Sequence, residues 1–158
     1  MRNLKKLSKK ISNILITVLH ILPIVGFTDA TYLTVEHYTG GNIACVIFQG
    51  CDVVNTSKYA TVIGTPIALF GMAYYFTLIL LASIYSSTGR KEFLLTIFML
   101  SGIGFIFSAY LTYLQLFIIN AICFYCVVSA GITTIIFGLS GYLLKNSRDR
   151  PSETEPLV

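Results

Sequence analysis

The chain has 158 residues, of which 55% are hydrophobic and only 11% are charged, and its mean hydropathy is +0.77. Its eleven basic and seven acidic residues leave a run of 52 residues without charge, from Phe93 through Leu144. This composition is too apolar for an ordinary soluble domain, and it excludes a disordered chain, a nucleic-acid-binding protein and a soluble enzyme. The net charge of +4 comes mostly from the two ends of the chain, which indicates membrane orientation rather than an acidic partner.

Four stretches are long and apolar enough to cross a membrane as helices, because a crossing needs about 20 residues that each rise about 1.5 Å. We predict these helices at about residues 11–38, 66–85, 93–116 and 121–144. The uncharged run is too long for one crossing, so it must fold back, and Asn120 is the predicted corner and N-cap of the fourth helix. Thr65 and Pro66 are the predicted N-cap and first-turn residue of the second helix.

These helices predict the fold class and the organisation of the chain. The fold class is an all-α integral membrane protein, a four-transmembrane-helix bundle with a short outer loop segment that caps it. Residues 1–10 form a basic N-terminus, residues 11–144 the membrane domain and residues 145–158 a polar tail, and the loop that follows the first helix spans residues 39–65. An alternative is that residues 1 to about 30 form a cleavable signal peptide, because a basic start precedes an apolar stretch.

The basic residues predict how the bundle is oriented. Lys58 lies in the first loop, and the other ten Lys and Arg residues lie at the N-terminus, in the loop after the second helix or in the tail. The positive-inside rule therefore places both termini in the cytoplasm, and the first loop and the Asn120 corner on the outer face of a plasma membrane. Removal of a signal peptide would leave three crossings and break this agreement.

The four cysteines lie together at the predicted outer end of the bundle. Cys45 and Cys51 are in the first loop, while Cys123 and Cys126 form a C-x-x-C at the start of the fourth helix. Disulfides persist on the outer, oxidising side of such a membrane. With Asn120 as N-cap, Cys123 occupies the third helical position, where the helix dipole favours a thiolate, and Cys126 lies one turn deeper. The two sulfurs are therefore expected to differ, one exchanging with thiols and one meeting a lipid-soluble reactant.

Other interpretations of the cysteines remain open at this point. The first pair could form a disulfide that only staples the loop, and the C-x-x-C pair could be packed free thiols. Four thiolates could also bind zinc, or a heavy-metal transporter could pass a soft ion from the loop thiolates to the helix thiolates. A third class is a disulfide-stapled membrane scaffold.

These residues together resemble the vitamin K epoxide reductase family and its bacterial members in particular. The similar features are the loop pair Cys45 and Cys51, the serine six residues later, Ser57, and the C-x-x-C at Cys123 and Cys126. The local sequence CDVVNTSKYATVIGTPIALFG is also similar to that of bacterial members. A lone C-x-x-C would be weak evidence, but the combination is specific, and the resemblance covers about residues 11–144.

The resemblance implies a quinone-dependent disulfide oxidoreductase. In this family a thioredoxin-like protein passes electrons to Cys45 or Cys51, and one of these reduces a disulfide between Cys123 and Cys126. Cys126 then faces a quinone of the ubiquinone, menaquinone or phylloquinone type, and Ser57 is a candidate hydrogen-bond partner at that site. Because the sequence ends without a fused thioredoxin-like domain, we expect the periplasmic or extracytoplasmic partner to be a separate protein.

The sequence departs from the family at two positions associated with vitamin K in vertebrate members, where a Tyr and an Asn are replaced by Ala130 and about Ile67. The resemblance therefore implies plain quinone reduction rather than epoxide reduction. Tyr113 and Phe124 are aromatic residues near the cysteines that could wall a flat quinone site, although an interfacial aromatic belt explains them equally well.

Three ionisable residues of the first helix have two interpretations each. Asp29 and Glu36 could tune a thiol or pass the protons that quinone reduction consumes, or they could be exposed to water above the lipid headgroups. His20 is expected to be a hydrogen-bonded packing residue more often than a ligand or a proton relay.

Overall fold

The computed structural model describes residues 2–40, 43 and 50–148 of the chain. Four helices within these residues are long and apolar enough to cross a membrane, so the chain is a multi-pass membrane protein with the predicted four-helix fold. The helices are α1 (Arg2–Thr39), α2 (Cys51–Asn55), α3 (Ile67–Thr88), α4 (Lys91–Leu114) and α5 (Phe124–Arg148), with a π-helical turn at Gln115–Ile119 after α4. Two short antiparallel strands, β1 (Thr61–Val62) and β2 (Thr65–Pro66), form a hairpin before α3.

The four long helices form a closed ring around one core. Helix α1 packs against α3 and α5, and α4 packs against the same two helices, so α1 and α4 occupy opposite corners of the bundle. The end of the bundle where α1 finishes and α5 begins carries α2, the hairpin and the turn at residues 120–123, and we call it the cysteine end. At the opposite end, Gly89 ends α3 in a left-handed conformation and Arg90 precedes α4.

Helix α1 is longer than the sequence predicts, since it begins at Arg2, well before residue 11. Pro23 lies inside it and its ring is buried. Membrane-spanning helices tolerate proline because neighbouring helices and polar side chains can satisfy the backbone groups that it frees. Threonine hydroxyls in the half of α1 nearest the cysteine end donate hydrogen bonds to carbonyl oxygens one turn back. These threonines are Thr28, Thr31, Thr34 and Thr39. Their polar atoms are therefore satisfied within the helix, as an apolar environment requires.

The start of α3 differs from the prediction by one residue. Pro66, rather than Thr65, is the N-cap, with φ −63° and ψ 136°, and the helix begins at Ile67. Thr65 cannot cap the helix because its backbone pairs with Val62 in the hairpin. The tip of that hairpin is Ile63 and Gly64, both with positive φ.

The corner between α4 and α5 lies at Asn120, but its role differs from the predicted one. Asn120 adopts a left-handed conformation, with φ 54°, and closes the π-helical turn, where the Ala121 N–H donates to the Gln115 carbonyl at 3.1 Å. Helix α5 then begins only at Phe124, and the carbonyl of Cys123 accepts the first hydrogen bond of that helix from Val127. The prediction that Asn120 caps the fourth helix is therefore wrong, since Asn120 ends one helix and Cys123 starts the next.

Tyr75 fills the centre of the bundle. Its side chain is 1% exposed, and its hydroxyl lies 2.8 Å from the Ser129 hydroxyl and 3.1 Å from the Thr133 hydroxyl, which joins α3 to α5 across the diagonal. Gly26 on α1 makes this possible, because a Cβ at that position would overlap the Tyr75 ring. Gly104 on α4 gives similar room to the ring of Tyr74. Two large polar aromatic residues therefore enter the core beside glycines.

Candidate thiol redox site

Cys51 is the first residue of α2 and is buried at the cysteine end. It belongs to one buried cluster with Leu33, Ile43 and Cys123, and it forms a disulfide bond. Cys45, the other predicted loop cysteine, lies outside the described residues. The first-loop segment and the C-x-x-C segment therefore meet at Cys51 and Cys123.

Gly50 allows this meeting because it has no side chain. A Cβ at Gly50 would lie 2.8 Å from both the backbone nitrogen and the carbonyl oxygen of Ile122, closer than real Cβ atoms approach other atoms. The backbone before α2 thus rests directly on the turn that leads into α5. A larger residue at position 50 would force these two backbone segments apart.

Polar contacts fix the loop that carries Cys51. The Asp52 carboxylate accepts a hydrogen bond from the Ile43 N–H at 2.8 Å, and the His37 ring donates from Nδ1 to the Asn55 carbonyl at 3.0 Å. Ser57 donates from its hydroxyl to the Val54 carbonyl at 2.8 Å. These bonds tie α2 to the end of α1 and to the loop around it, so Cys51 is held in place from both sides.

Cys123 is itself the cap of α5. Its sulfur is hydrogen-bonded by the Cys126 thiol and by the backbone N–H groups of Cys126 and Tyr125, which are the third and second residues of the helix. These hydrogen bonds lower the pKa of the Cys123 thiol below its ordinary value, although burial opposes them. The start of α5 therefore lowers the pKa of the Cys123 thiol, as predicted, but Cys123 is the N-cap of the helix and not its third residue.

Gln115 connects the π-helical turn to both cysteines of the C-x-x-C. It is 4% exposed, and its Oε1 accepts a hydrogen bond from the Cys123 N–H at 3.0 Å. The same side chain also hydrogen-bonds with Cys126. Because the three residues between Asn120 and α5 are not helical, this backbone N–H would otherwise be buried without an acceptor.

A cavity of about 310 Å³ lies beside the two free thiols. It is bounded by α1, α3, α4 and α5, with α2 and the segment after it at the cysteine end, and its walls are mainly apolar. Cys123, Cys126 and Ser57 line it, so these three predicted site residues are brought together. Its size and lining are typical of a site for a small organic molecule.

Two buried polar atoms that line this cavity have no hydrogen-bond partner among the described residues. They are Oδ2 of Asp29 and the hydroxyl of Tyr74. Buried polar groups are seldom left unpaired, because the loss of hydration is costly. Each of these atoms is therefore a candidate contact for a bound polar group.

The two aromatic residues predicted at the site lie in different places. Phe124 packs against the buried cluster of Cys51 and Cys123, so it supports the thiols without lining the cavity. Tyr113 is 53% exposed, and its ring centroid lies 4.9 Å from that of Phe117, with the two rings tilted by 31°. Both residues line a shallow groove on the outside of the bundle, along α4. The structure does not bring Tyr113 to the two thiols.

The two positions that depart from the vertebrate pattern are also separated. Ile67 lines the cavity and offers no polar group to a ligand, whereas Ala130 lines the outer groove. Glu36 is half-buried and does not line the cavity. His20 bonds to the Ile16 carbonyl at 2.9 Å from Nδ1, as the packing interpretation expects.

Sequence reasoning missed three residues of the site: Gly50, Tyr74 and Gln115. Gln115 carried the clearest signal, since it is a polar amide within the long uncharged run and eight residues before Cys123. Gly50 and Tyr74 carried no signal in the sequence, because their roles depend on which segments of the folded chain pack against them. Within the described ranges, which do not include Cys45, no group of three or more His, Cys, Asp and Glu side chains is arranged to hold a metal ion.

Comparison with known proteins supports the pattern of cysteines and helices. Residues 17–140 match the model of the Vitamin K epoxide reductase family, which is more than three-quarters of the chain. The matched range contains all four cysteines, Ser57 and the cavity residues named above. No curated protein sequence matches the chain at a significant level.

Proposed function

Because the chain belongs to the vitamin K epoxide reductase family and is a membrane thiol–disulfide oxidoreductase, we propose that it passes electrons from a reduced thioredoxin-like protein to a quinone. The observation that carries the proposal is the arrangement of Cys51, Cys123 and Cys126. Cys51 shares a buried cluster with Cys123, and the thiols of Cys123 and Cys126 line an apolar cavity. A chain of sulfurs thus leads from the loop to a site for an apolar molecule.

The electron path begins at the first loop. The thioredoxin-like partner reduces a disulfide between Cys45 and Cys51, and a loop thiolate then attacks the Cys123 sulfur of a Cys123–Cys126 disulfide. Attack at Cys123 makes Cys126 the leaving thiolate and forms a mixed disulfide between the loop cysteine and Cys123. The other loop cysteine then attacks the loop sulfur of that mixed disulfide, which re-forms the loop disulfide, releases Cys123 and restores two thiols beside the cavity. In the structure Cys51 is disulfide-bonded, whereas Cys123 and Cys126 are both free thiols. This combination corresponds to the state in which the electrons have reached the C-x-x-C.

The quinone is the substrate that accepts these electrons, and we propose that it binds in the cavity. Apolar walls suit its ring, and the unpaired polar atoms of the lining suit its two oxygens. Cys126 is the sulfur that faces the quinone, and Ser57 is a second contact. The quinone type, ubiquinone, menaquinone or phylloquinone, follows from what the host membrane contains. Neither Tyr113 nor Phe124 lines the cavity. Their roles as quinone contacts stay predictions from the sequence.

The site is proposed to lie on the outer face of the plasma, or inner, membrane. Nine of the basic residues that the structure describes lie in the parts of α1, α3–α4 and α5 toward the end of the bundle opposite the cysteines. The positive-inside rule puts that end in the cytoplasm. The cysteine end then meets the compartment in which disulfides form. The enzyme would supply oxidising power to that compartment through its partner.

The test is turnover of purified protein with a reduced thioredoxin-like protein and a soluble ubiquinone or menaquinone analogue. We expect the native protein to reduce the quinone, the Cys126→Ala variant to be inactive, and a Cys51→Ala variant to reduce quinone only when a small dithiol bypasses the loop. A matched control is Ser83→Ala, because Ser83 is exposed on α3, bonds only within its own helix and does not line the cavity. Native rates in Cys126→Ala would refute the proposal.

A further inference from the structure

Asp29 is the carboxyl group that lines the cavity, and within the described residues no counterion accompanies it. It lies on α1, about three turns from the end of that helix nearest the cysteines, and its Oδ2 is shielded and has no partner among the described residues. Helix α4, which also borders the cavity, carries no charge between Phe93 and the π-helical turn. An acidic residue at this depth of a membrane protein is a candidate functional residue.

The titratable groups that interact electrostatically with Asp29 are all neutral or acidic. They are Tyr75 on α3, and Cys123, Tyr125 and Cys126 at the start of α5. An ionised carboxylate would be costly to bury among such groups without a cation or a hydrogen-bond donor. As the neutral acid, Asp29 has an O–H that can donate to a ligand in the cavity.

Tyr74 supplies a second donor on the same cavity. Its hydroxyl, on α3, is buried and has no hydrogen-bond partner among the described residues. The Thr133 hydroxyl on α5 interacts with Tyr74 without the geometry of a hydrogen bond, and it bonds with the Tyr75 hydroxyl at 3.1 Å. Two separate donors in an apolar cavity match a ligand with two hydrogen-bond acceptors on a flat apolar ring, which describes a quinone.

Resting on the proposed function, we propose that Asp29 is the proton donor to the quinone and that Tyr74 anchors the quinone by a hydrogen bond. The Cys123 thiolate and the Cys126 thiol form a disulfide and release two electrons to the quinone. The Cys126 thiol and the Asp29 carboxyl each give up one proton, so the two quinone oxygens receive two. Asp29 then recovers a proton from water, which replaces the one that Cys123 lost earlier as it became a thiolate.

The first test measures a single turnover of pre-reduced protein with a ubiquinone analogue across a range of pH. We expect a bell-shaped profile for the native protein, with a rising limb from the Cys123 thiolate and a falling limb as Asp29 loses its proton. Asp29→Asn should lower the rate by about a hundredfold, within the range that general acid catalysis contributes, and should remove only the falling limb. The matched control is Glu36→Gln, two turns farther along the same helix and outside the cavity, which should keep the native profile. A native profile for Asp29→Asn would overturn the proposal.

The second test measures equilibrium binding of the same quinone analogue by oxidised protein, without turnover. Tyr74→Phe should weaken binding by about fivefold, the effect of one lost neutral hydrogen bond, and should leave the shape of the pH profile unchanged. Binding as tight as that of the native protein would overturn the role of Tyr74 as an anchor.

A third measurement keeps the proposal testable even if Asp29→Asn fails to fold. Difference infrared spectra of native protein, with and without the quinone analogue, should contain a shifted C=O stretch from a protonated carboxyl group, and Glu36→Gln should retain it. A native spectrum without that shift would overturn the role of Asp29. If native protein binds and reduces no quinone at all, the proposed function itself fails, whereas normal quinone reduction with an unperturbed carboxyl band refutes only the inference about Asp29.

Discussion

The side-chain Oε1 of Gln115 accepts a hydrogen bond from the backbone N–H of Cys123 at 3.0 Å, across the corner between α4 and α5. Gln115 is the first residue of the π-helical turn, and Cys123 is the cap of α5. The turn widens the end of α4 and brings the amide over the three non-helical residues that precede α5. One side chain thereby holds the backbone of the reactive cysteine, and π-helical turns often occur at functional sites for such reasons.

Replacement of Gln115 by Leu should destabilise the protein. The Cys123 N–H would be buried without an acceptor, which costs about 1–3 kcal/mol. Chemical unfolding in detergent, followed by circular dichroism, measures the loss. Gln115→Glu keeps an acceptor at the same position and is the matched comparison, so a Leu variant as stable as the native protein would show that the N–H has another partner.

Gly50→Ala should slow electron transfer from the loop to the C-x-x-C without unfolding the bundle. The new Cβ would collide with the Ile122 backbone and displace Cys51, and a misplacement of about 1 Å can cost about a hundredfold in rate. The measurement is the rate at which Cys123 and Cys126 become alkylable after a dithiol is added to fully oxidised protein. Gly131→Ala is the control, because nothing from elsewhere in the structure lies within 4 Å of a Cβ there. Equal rates in both variants would contradict the close packing at Gly50.

The Cys123 thiol should titrate below the ordinary thiol value of about 8.5 in reduced protein. Its largest stabilising contact is the hydrogen bond from the Cys126 thiol, so Cys126→Ala should raise the pKa of Cys123. At a pH between the pKa of Cys123 in the native protein and its pKa in the variant, Cys123 is a thiolate in the native protein and a thiol in the variant. Ultraviolet absorbance of the thiolate, recorded against pH, measures both. A lower pKa in the variant would mean that Cys126 does not stabilise the thiolate.

Gly26→Ala should destabilise the core, because its Cβ would overlap the ring of Tyr75. Overpacking of this kind costs about 1–3 kcal/mol. Gly138→Ala on α5 has open space around the new Cβ and should be neutral or slightly stabilising, since alanine favours a helix over glycine. Thermal unfolding of both variants gives the comparison, and equal midpoints would mean that Tyr75 can move aside freely.

Sequence patterns predict the number of long helices and the approximate position of the corner, because apolar length and an uncharged run are sufficient for both. The same patterns place Cys123 and Cys126 at the start of the last helix. They do not predict that Asn120 ends a π-helical turn, since π-helical and α-helical stretches have the same composition. The assignment of Asn120 as N-cap was wrong for that reason, and the activation of Cys123 as cap could be found only from the backbone path.

The cavity was also beyond sequence reasoning. Asp29 and Ser57 could be picked out as polar residues in an apolar chain, but their convergence depends on how α1, α2 and α5 pack. Tyr113 was expected near the thiols because it is close to the cysteines in sequence. That closeness does not determine which face of α4 the residue occupies. Its outward position follows from the packing of α4 against α5.

The stoichiometry of a single turnover tests electron transfer from the two thiols to the quinone. Protein reduced at Cys123 and Cys126 is mixed without oxygen with a quinone analogue, and hydroquinone and remaining thiols are counted together. We expect one hydroquinone for every two thiols lost and a new disulfide between Cys123 and Cys126 by peptide mapping. Thiols that persist beside unreacted quinone, or equal hydroquinone formation by the Cys126→Ala variant, would contradict it.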